Sequence, residues 1–333
     1  MKKIYQLSWY EYIVFRLGLF RFVCDFGSII GLSLLYLLKP PLLFEFLSTW
    51  WQKKRIRYST ESPYHNFDLL ELKKEEKSPV ILIFVHGGSW GSGRLVQYLT
   101  PTKRIAQLIG ASHAIALGYP VYPMGLMEDQ VNSVRKGLDY IIRSPPLKNL
   151  FINGKTPKII LCGHSSGAHI SLLAIARYLQ NNEKVPIDAY IGLSGPFDLV
   201  THYEYKKASK SLGLTSMVPT ANGPENLAHY SPALIIRDYL AMKKSDCITL
   251  PYIGLLQGLT DKVVPDYQSS NLQNMLEKDH NFQRSKCVLI KVLLLMIILS
   301  FLICNVLGLC SPHTDPRPPT AHRWHRPNQR WSR

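Results

Sequence analysis

The chain has 333 residues, 46% of them hydrophobic, with 18 Tyr and 6 Trp; this excludes a disordered or low-complexity protein and leaves room for one sizeable core plus extensions. A formal net charge of +16 invites a nucleic-acid partner, yet the basic residues concentrate at Lys53-Lys54-Arg55-Ile56-Arg57 and in an Arg-rich end, both beside apolar segments. No RNA- or DNA-binding motif accompanies them, so a membrane headgroup surface is the better match. The six cysteines (Cys24, Cys162, Cys247, Cys287, Cys304, Cys310) have neither metal spacing nor a paired framework, and no metal or organic cofactor is expected.

Residues 1–57 read as a membrane-associated segment. Phe26 to Leu38 is apolar and uncharged, but short of the roughly 20 residues that a span needs. Extending it backwards meets Asp25, Arg21 and Arg16. Beyond Lys39-Pro40-Pro41 a second patch, LLFEFLSTWW, ends in Trp50-Trp51 and the basic run, which has the character of an interfacial boundary. The segment is expected to be a tilted or re-entrant anchor, or an amphipathic stretch lying at the interface, in preference to a merely buried helix. It lacks the small-residue cleavage site of a secretory leader.

A globular domain is expected over 58–291. A turn-rich lead around Ser62-Pro63 and the charged ELKKEEK stretch precede Pro79 to Val85, an apolar run of the kind buried on both faces of a parallel sheet. The run ends in His86-Gly87-Gly88-Ser89-Trp90. A helix around Gln97–Ile109, a strand near Ala111–Leu117 and an amphipathic helix over Met127–Ile142 follow. Later come apolar strands at Asp188–Gly195 and Pro251–Gln257, and a helix at about Tyr267–Leu276. Residues 199–245 are less regular and read as a small cap. Alternating strands and helices imply a mostly parallel sheet with helices on both faces.

The chemistry centres on KIILCGHSSGAHI, residues 158–170, in which an apolar strand runs into Gly163-His164-Ser165-Ser166-Gly167 and a helix-compatible sequence follows. A G-x-S-x-G at a strand-to-helix turn is the nucleophile elbow of an α/β-hydrolase. A serine lifted onto so tight a turn forces its neighbours into backbone contact that a Cβ would obstruct. Ser165 is therefore the expected nucleophile, and it needs a base and an acid that orients the base. The backbone N–H groups of Gly87, Gly88 and Ser166 are in the right contexts for an oxyanion hole. His86 and His164 read as flanking structural residues. Asp261, after an apolar strand and C-terminal to the serine, suits the acid in the order Ser, Asp, His. Asp198 also follows a strand, and reads better as the start of a cap helix.

Taken together, HGGSW, GHSSGAH, IGLSGPFDL, HYSPALI and GLTDKVVP resemble the prenylcysteine (isoprenylcysteine alpha-carbonyl) methylesterases, over roughly Pro79 to Leu276. Kynurenine formamidase shares the HGG-x-W and GHS-x-GAH motifs and is the second choice. The resemblance implies an α/β-hydrolase that cleaves the carboxyl methyl ester of a lipidated cysteine. It also implies a membrane lipid neighbourhood, such as the endoplasmic reticulum or Golgi, and no nucleic-acid partner. Ser165 and Asp261 match the family's nucleophile and acid, and Gly87 and Gly88 its oxyanion loop.

The C-terminus departs from that pattern. Cys287 to Val292 looks like the start of the last strand, but residues 292–310 are an uncharged run of about membrane-span length and 311–333 a Pro/Arg-rich tail expected to be disordered. The C-terminal part of the fold is thus expected to be replaced or truncated. Of the histidines here, His280 precedes the strand, and His322 and His325 belong to the tail. His313, in Ser311-Pro312-His313-Thr314-Asp315, remains as the candidate base, later than the fold places one. Without a base the chain would be a membrane pseudo-hydrolase, the rival reading from another class.

Overall fold

A computed structural model describes residues 9, 12–16, 19–72, 79–143, 156–242, 250–278 and 287–292. After a short π-helical turn at Tyr12–Arg16 come two helices, α1 (Leu19–Leu38) and α2 (Pro40–Gln52). The strands are β1 (Lys54–Arg57), β2 (Asn66–Glu71), β3 (Val80–Val85), β4 (His113–Leu117), β5 (Lys158–His164), β6 (Ala189–Leu193), β7 (Tyr252–Gly258) and β8 (Cys287–Val292). Around them lie α3 (Leu95–Leu108), α4 (Met127–Arg143), α5 (Ser166–Gln180), α6 (Leu199–Ala208), α7 (Pro232–Met242) and α8 (Tyr267–Lys278).

The strands form one sheet in the order β1-β2-β4-β3-β5-β6-β7-β8. β2 pairs antiparallel with both β1 and β4, and every pairing from β4 to β8 is parallel. A parallel sheet needs apolar residues on both faces, and β3 supplies them. Ile81, Ile83 and Val85 join the larger core with α4 and α5, while Leu82 and Phe84 join a second core with Leu99, Ile105 and Ala106 of α3. Helix α5 is buried from Ser166 to Leu179, the central helix between sheet and cap. The consequence for function is positional: the loops after β3, β5, β6 and β7 all leave the same edge of the sheet, where ligands of open α/β sheets bind.

Strands β1 and β2 are absent from the expectations above. β1 is Lys-Arg-Ile-Arg, whose charge reads as a basic boundary; it is an edge strand, and its charges are met across the strand by Lys54–Glu71 and by Arg55 on the fully buried Asp68 (2.7 and 2.8 Å). The last strand, β8, pairs with β7 in register Ile253↔Cys287 to Gly258↔Val292. Residues 293–310 of the expected span, the 311–333 tail with His313, His322 and His325, and His280 lie outside the described residues. Among the described residues, no helix is long and apolar enough to cross a membrane.

Candidate active site

Ser165 sits at the junction of β5 and α5 with φ 52° and ψ −123°. That left-handed backbone is costly for a residue with a Cβ. Its surroundings hold it there: the Ser165 N–H donates to the Leu193 carbonyl at the end of β6 (2.8 Å), and the Ser165 carbonyl accepts from the His169 N–H (3.1 Å). A Cβ on Gly163 would fall 2.5 Å from the Gly167 carbonyl oxygen, and one on Gly167 would fall 2.3 Å from the carbonyl oxygens of both Val85 and His86. The two glycines of the elbow thus let strand, helix and the end of β3 meet backbone to backbone.

The loop after β3 closes over the elbow. A Cβ on Gly87 would fall 2.7 Å from the His164 carbonyl and 3.1 Å from the Ser165 Cβ, so this loop touches the serine itself. Ser89 and Trp90 have φ of 50° and 62°, and Gly88 has 136°. The turn is held by Gly91 and Ser92 N–H groups donating to the Gly88 carbonyl (3.1 and 2.9 Å). From outside, Ser216 Oγ donates to the Ser89 carbonyl (2.5 Å) and Tyr119 Oη to the His86 carbonyl (2.7 Å). The backbone N–H groups of Gly87, Gly88 and Ser166 donate to no carbonyl of the described residues. Free donors next to a strained serine are what a developing oxyanion requires.

Of the histidines around the serine, His86 and His169 are buried and His164 is half-buried, and all three are neutral. His86 is sandwiched between Tyr98 and Tyr119 (ring centroids 5.5 and 4.4 Å), and burial pushes its pKa down to about 4. Burial pushes His164 down to about 3. His169 accepts from Trp90 Nε1 at Nδ1 (3.1 Å) while Nε2 meets the Tyr230 carbonyl (2.7 Å), so the proton resides on Nε2. Burial brings it down to about 4. This Trp90–His169–Tyr230 chain ties the oxyanion loop to α5 and to the cap. It was not identified from sequence; the only signal was that HGGSW and GHSSGAH both end in a residue able to hydrogen-bond.

Asp261 lies in the loop after β7, two strands from β5. Its Oδ1 accepts from the Val263 and Val264 N–H groups (2.8 and 2.9 Å), which fixes the loop. Facing it from the cap is Lys206, buried at its head, whose pKa burial lowers while the Asp261 charge opposes that shift. His202, one turn earlier on α6, is buried and pushed to about 3 by burial and by Lys206. Asp198 caps α6, accepting from Val200 and Thr201 N–H groups (3.0 and 3.4 Å). Thus the Ser165 elbow, the Gly87-Gly88 loop and the Asp261 loop share one edge of the sheet. His313 lies outside the described residues. No group of His, Cys, Asp and Glu that could hold a metal occurs among the described residues.

Residues 67–276 match the family model described as BD-FAE. The isoprenylcysteine alpha-carbonyl methylesterase of Arabidopsis thaliana is 25% identical over 75% of this chain and 59% of its own length. A second Arabidopsis thaliana protein, named a probable isoprenylcysteine alpha-carbonyl methylesterase, is 28% identical over 65% of this chain and 51% of its own. Kynurenine formamidase of Salmo salar is more distant, 26% identical over 44% of the chain and 47% of its own length. The chain spans about half the length of the curated relatives it matches. Among solved structures, carboxyl esterase 2 of Tuber melanosporum has a TM-score of 0.56 at 15% identity, with 72% of this chain and 76% of that one covered. The fold is that of the α/β-hydrolases.

Proposed function

The chain belongs to the BD-FAE family, and from that premise we propose that it is a serine carboxylic-ester hydrolase acting on the carboxyl methyl ester of a prenylated cysteine or a similar lipid-tailed ester. The observation that carries this reading is the strained Ser165 (φ 52°), with the Gly87 loop packed against its Cβ. In the reaction, Ser165 Oγ attacks the ester carbonyl and gives its proton to a base. The carbonyl oxygen becomes an oxyanion held by N–H groups of Gly87, Gly88 and Ser166, and collapse expels methanol carrying that proton. Water then hydrolyses the acyl-serine by the same steps in reverse roles. The base is His313, oriented by Asp261. The names of the matched methylesterases support the ester class and the lipid tail.

The test is labelling of the full chain by a fluorophosphonate probe, which reacts with a serine activated by a working base. Labelling is expected in the wild type and abolished in Ser165→Ala and in His313→Ala. A folded wild type that never labels overturns the hydrolase reading and leaves the scaffold without its activity. Turnover of an aryl formamide without turnover of a prenylcysteine methyl ester overturns the substrate assignment alone.

A further inference from the structure

Helices α1 and α2 are amphipathic in the reverse sense to a helix packed on a globular protein. Phe22, Phe26, Ile30, Leu34 and Leu37 recur every three or four residues along α1 and all face outward, Phe22 at 63% and Leu37 at 79% exposure. On the opposite face Asp25, only 4% exposed, accepts from Arg94 Nε (2.8 Å) and lies 3.6 Å from Arg21 Nε. On α2 the pattern repeats. Phe44, Leu47 and Trp51 face outward, while Glu45 turns inward to pair with Arg104 and Thr49 accepts from Lys103 Nζ (3.2 Å). Apolar side chains out and ion pairs in is an arrangement that water disfavours and lipid favours.

The charge on this face points to the same occupant. Asp25 and Glu45 are the only carboxylates between residues 19 and 57, and both are turned inward. Lys39 at the bend between the helices, Lys53 and Arg57 have no carboxylate partner among the described residues. Lys53 Nζ lies 3.5 Å over the ring of Trp50, beside the exposed Trp51. Tryptophan with lysine at the end of an apolar face is the pattern of a lipid headgroup boundary.

The inward side of the hairpin ends at the active site. Asp25 also accepts from the Gly93 N–H (3.5 Å), and a Cβ on Gly93 would fall 2.5 Å from the Gly87 carbonyl oxygen. Gly93, with φ 101°, is therefore packed against the loop that holds the candidate oxyanion donors.

We propose that α1 and α2 form a lipid-seated clamp: the hairpin lies flat on an anionic bilayer without crossing it, and Asp25, through Gly93 and Arg94, holds the Gly87–Gly88 loop in register at that surface. A lipid-tailed ester would then reach Ser165 from the bilayer; this last clause alone rests on the hydrolase reading.

Seating is tested on the full chain with vesicles of phosphatidylcholine, with and without phosphatidylserine, carrying brominated acyl chains that quench tryptophan. The expected result is quenching that is lost in Trp50→Phe/Trp51→Phe. Phosphatidylserine should enhance binding and salt should weaken it. Phe22→Ser and Phe26→Ser should each weaken it about tenfold. Quenching unchanged in the Trp50→Phe/Trp51→Phe protein, or a dimer formed through the stripe that excludes vesicles, overturns the seating. The clamp is read without any activity, by hydrogen exchange of the amides at 88–93. Asp25→Asn and Arg94→Gln should both accelerate that exchange by about tenfold or more. Wild-type exchange in both variants overturns the clamp.

Discussion

Acidification perturbs several imidazoles at once; besides the half-buried His164 these include the buried His86, His169 and His202, whose pKa values burial lowers to about 4, 4 and 3. In the unfolded chain each returns to about 6.5. Between about pH 6.5 and 4 the unfolded state therefore binds more protons than the folded one, and stability rises with pH through that window and falls on acidification. At pH 5 all three are still neutral in the fold, so the loss relative to pH 7 is set by the unfolded value and amounts to about 2 kcal/mol per histidine. Together this is roughly 6 kcal/mol, a large share of the 5–15 kcal/mol of an ordinary domain. The measurement is urea unfolding at pH 7 and pH 5, with the same slope required at both. His202→Leu is the sharpest variant, because His202 Nδ1 has no hydrogen-bond partner among the described residues and its ring faces Lys206. The variant should lose about 2 kcal/mol less than the wild type between the two pH values, whatever its stability at pH 7. A wild type that loses under about 1 kcal/mol, or a variant with the same pH dependence as the wild type, refutes the reasoning.

Gly167→Ala should be among the most destabilising single-methyl additions in the chain, about 3 kcal/mol or more by chemical denaturation, since its Cβ meets two backbone carbonyls at 2.3 Å and neither is the end of a flexible side chain. Trp90→Phe keeps the ring but leaves His169 Nδ1 without its donor, and should cost about 1–3 kcal/mol; losses of Trp90→Phe and His169→Phe that simply add in the double variant would show that the hydrogen bond contributes nothing. Asp198→Ala removes the cap of α6 and should lower stability by about 1 kcal/mol, with Asp198→Asn recovering most of it.

The elbow was legible because everything it needs is local: an apolar strand, two glycines flanking a serine, and a helix-compatible run within fifteen or so residues of chain. The parallel core was legible for a similar reason, since β3 and β5 are apolar on both faces and can hardly be anything else. What escaped was long-range. Trp90 and His169 are 79 residues apart, His169 and Tyr230 61, and Asp25 and Arg94 69; no periodicity marks such pairs. β1 escaped because an edge strand whose charges are satisfied across the pair has the composition of a basic surface run. In α1 and α2 the apolar periodicity was readable but its direction was not. A stripe of Phe and Ile ordinarily predicts the buried face, and only the partners Arg94, Lys103 and Arg104, all in or beside α3, show that the polar face is the one turned inward.

The acid assignment can be separated from a purely structural role because the loop is held through one oxygen of Asp261. Oδ1 takes both loop N–H groups, of Val263 and Val264. Asp261→Asn keeps an acceptor of the same shape there and removes the charge. The loop is well placed for an acid: the Leu259 N–H donates to the carbonyl of Val292 (2.9 Å), and Lys291 Nζ pairs with Asp266 (2.8 Å), so β8 delivers the chain beside it. The first histidine after Val292 is His313. At up to about 3.5 Å per residue, chain length does not keep it from the Asp261 loop. If Asp261 orients an imidazole, Asp261→Asn should leave the thermal midpoint within a few degrees of wild type while fluorophosphonate labelling of Ser165 slows by about 10⁴. If Asp261 only organises the loop, both quantities stay where they are in the wild type. A variant that unfolds and stops labelling together would point to a third outcome, a loop whose folding depends on the charge. Slowed labelling at an unchanged midpoint is therefore the result that assigns Asp261 to the chemistry.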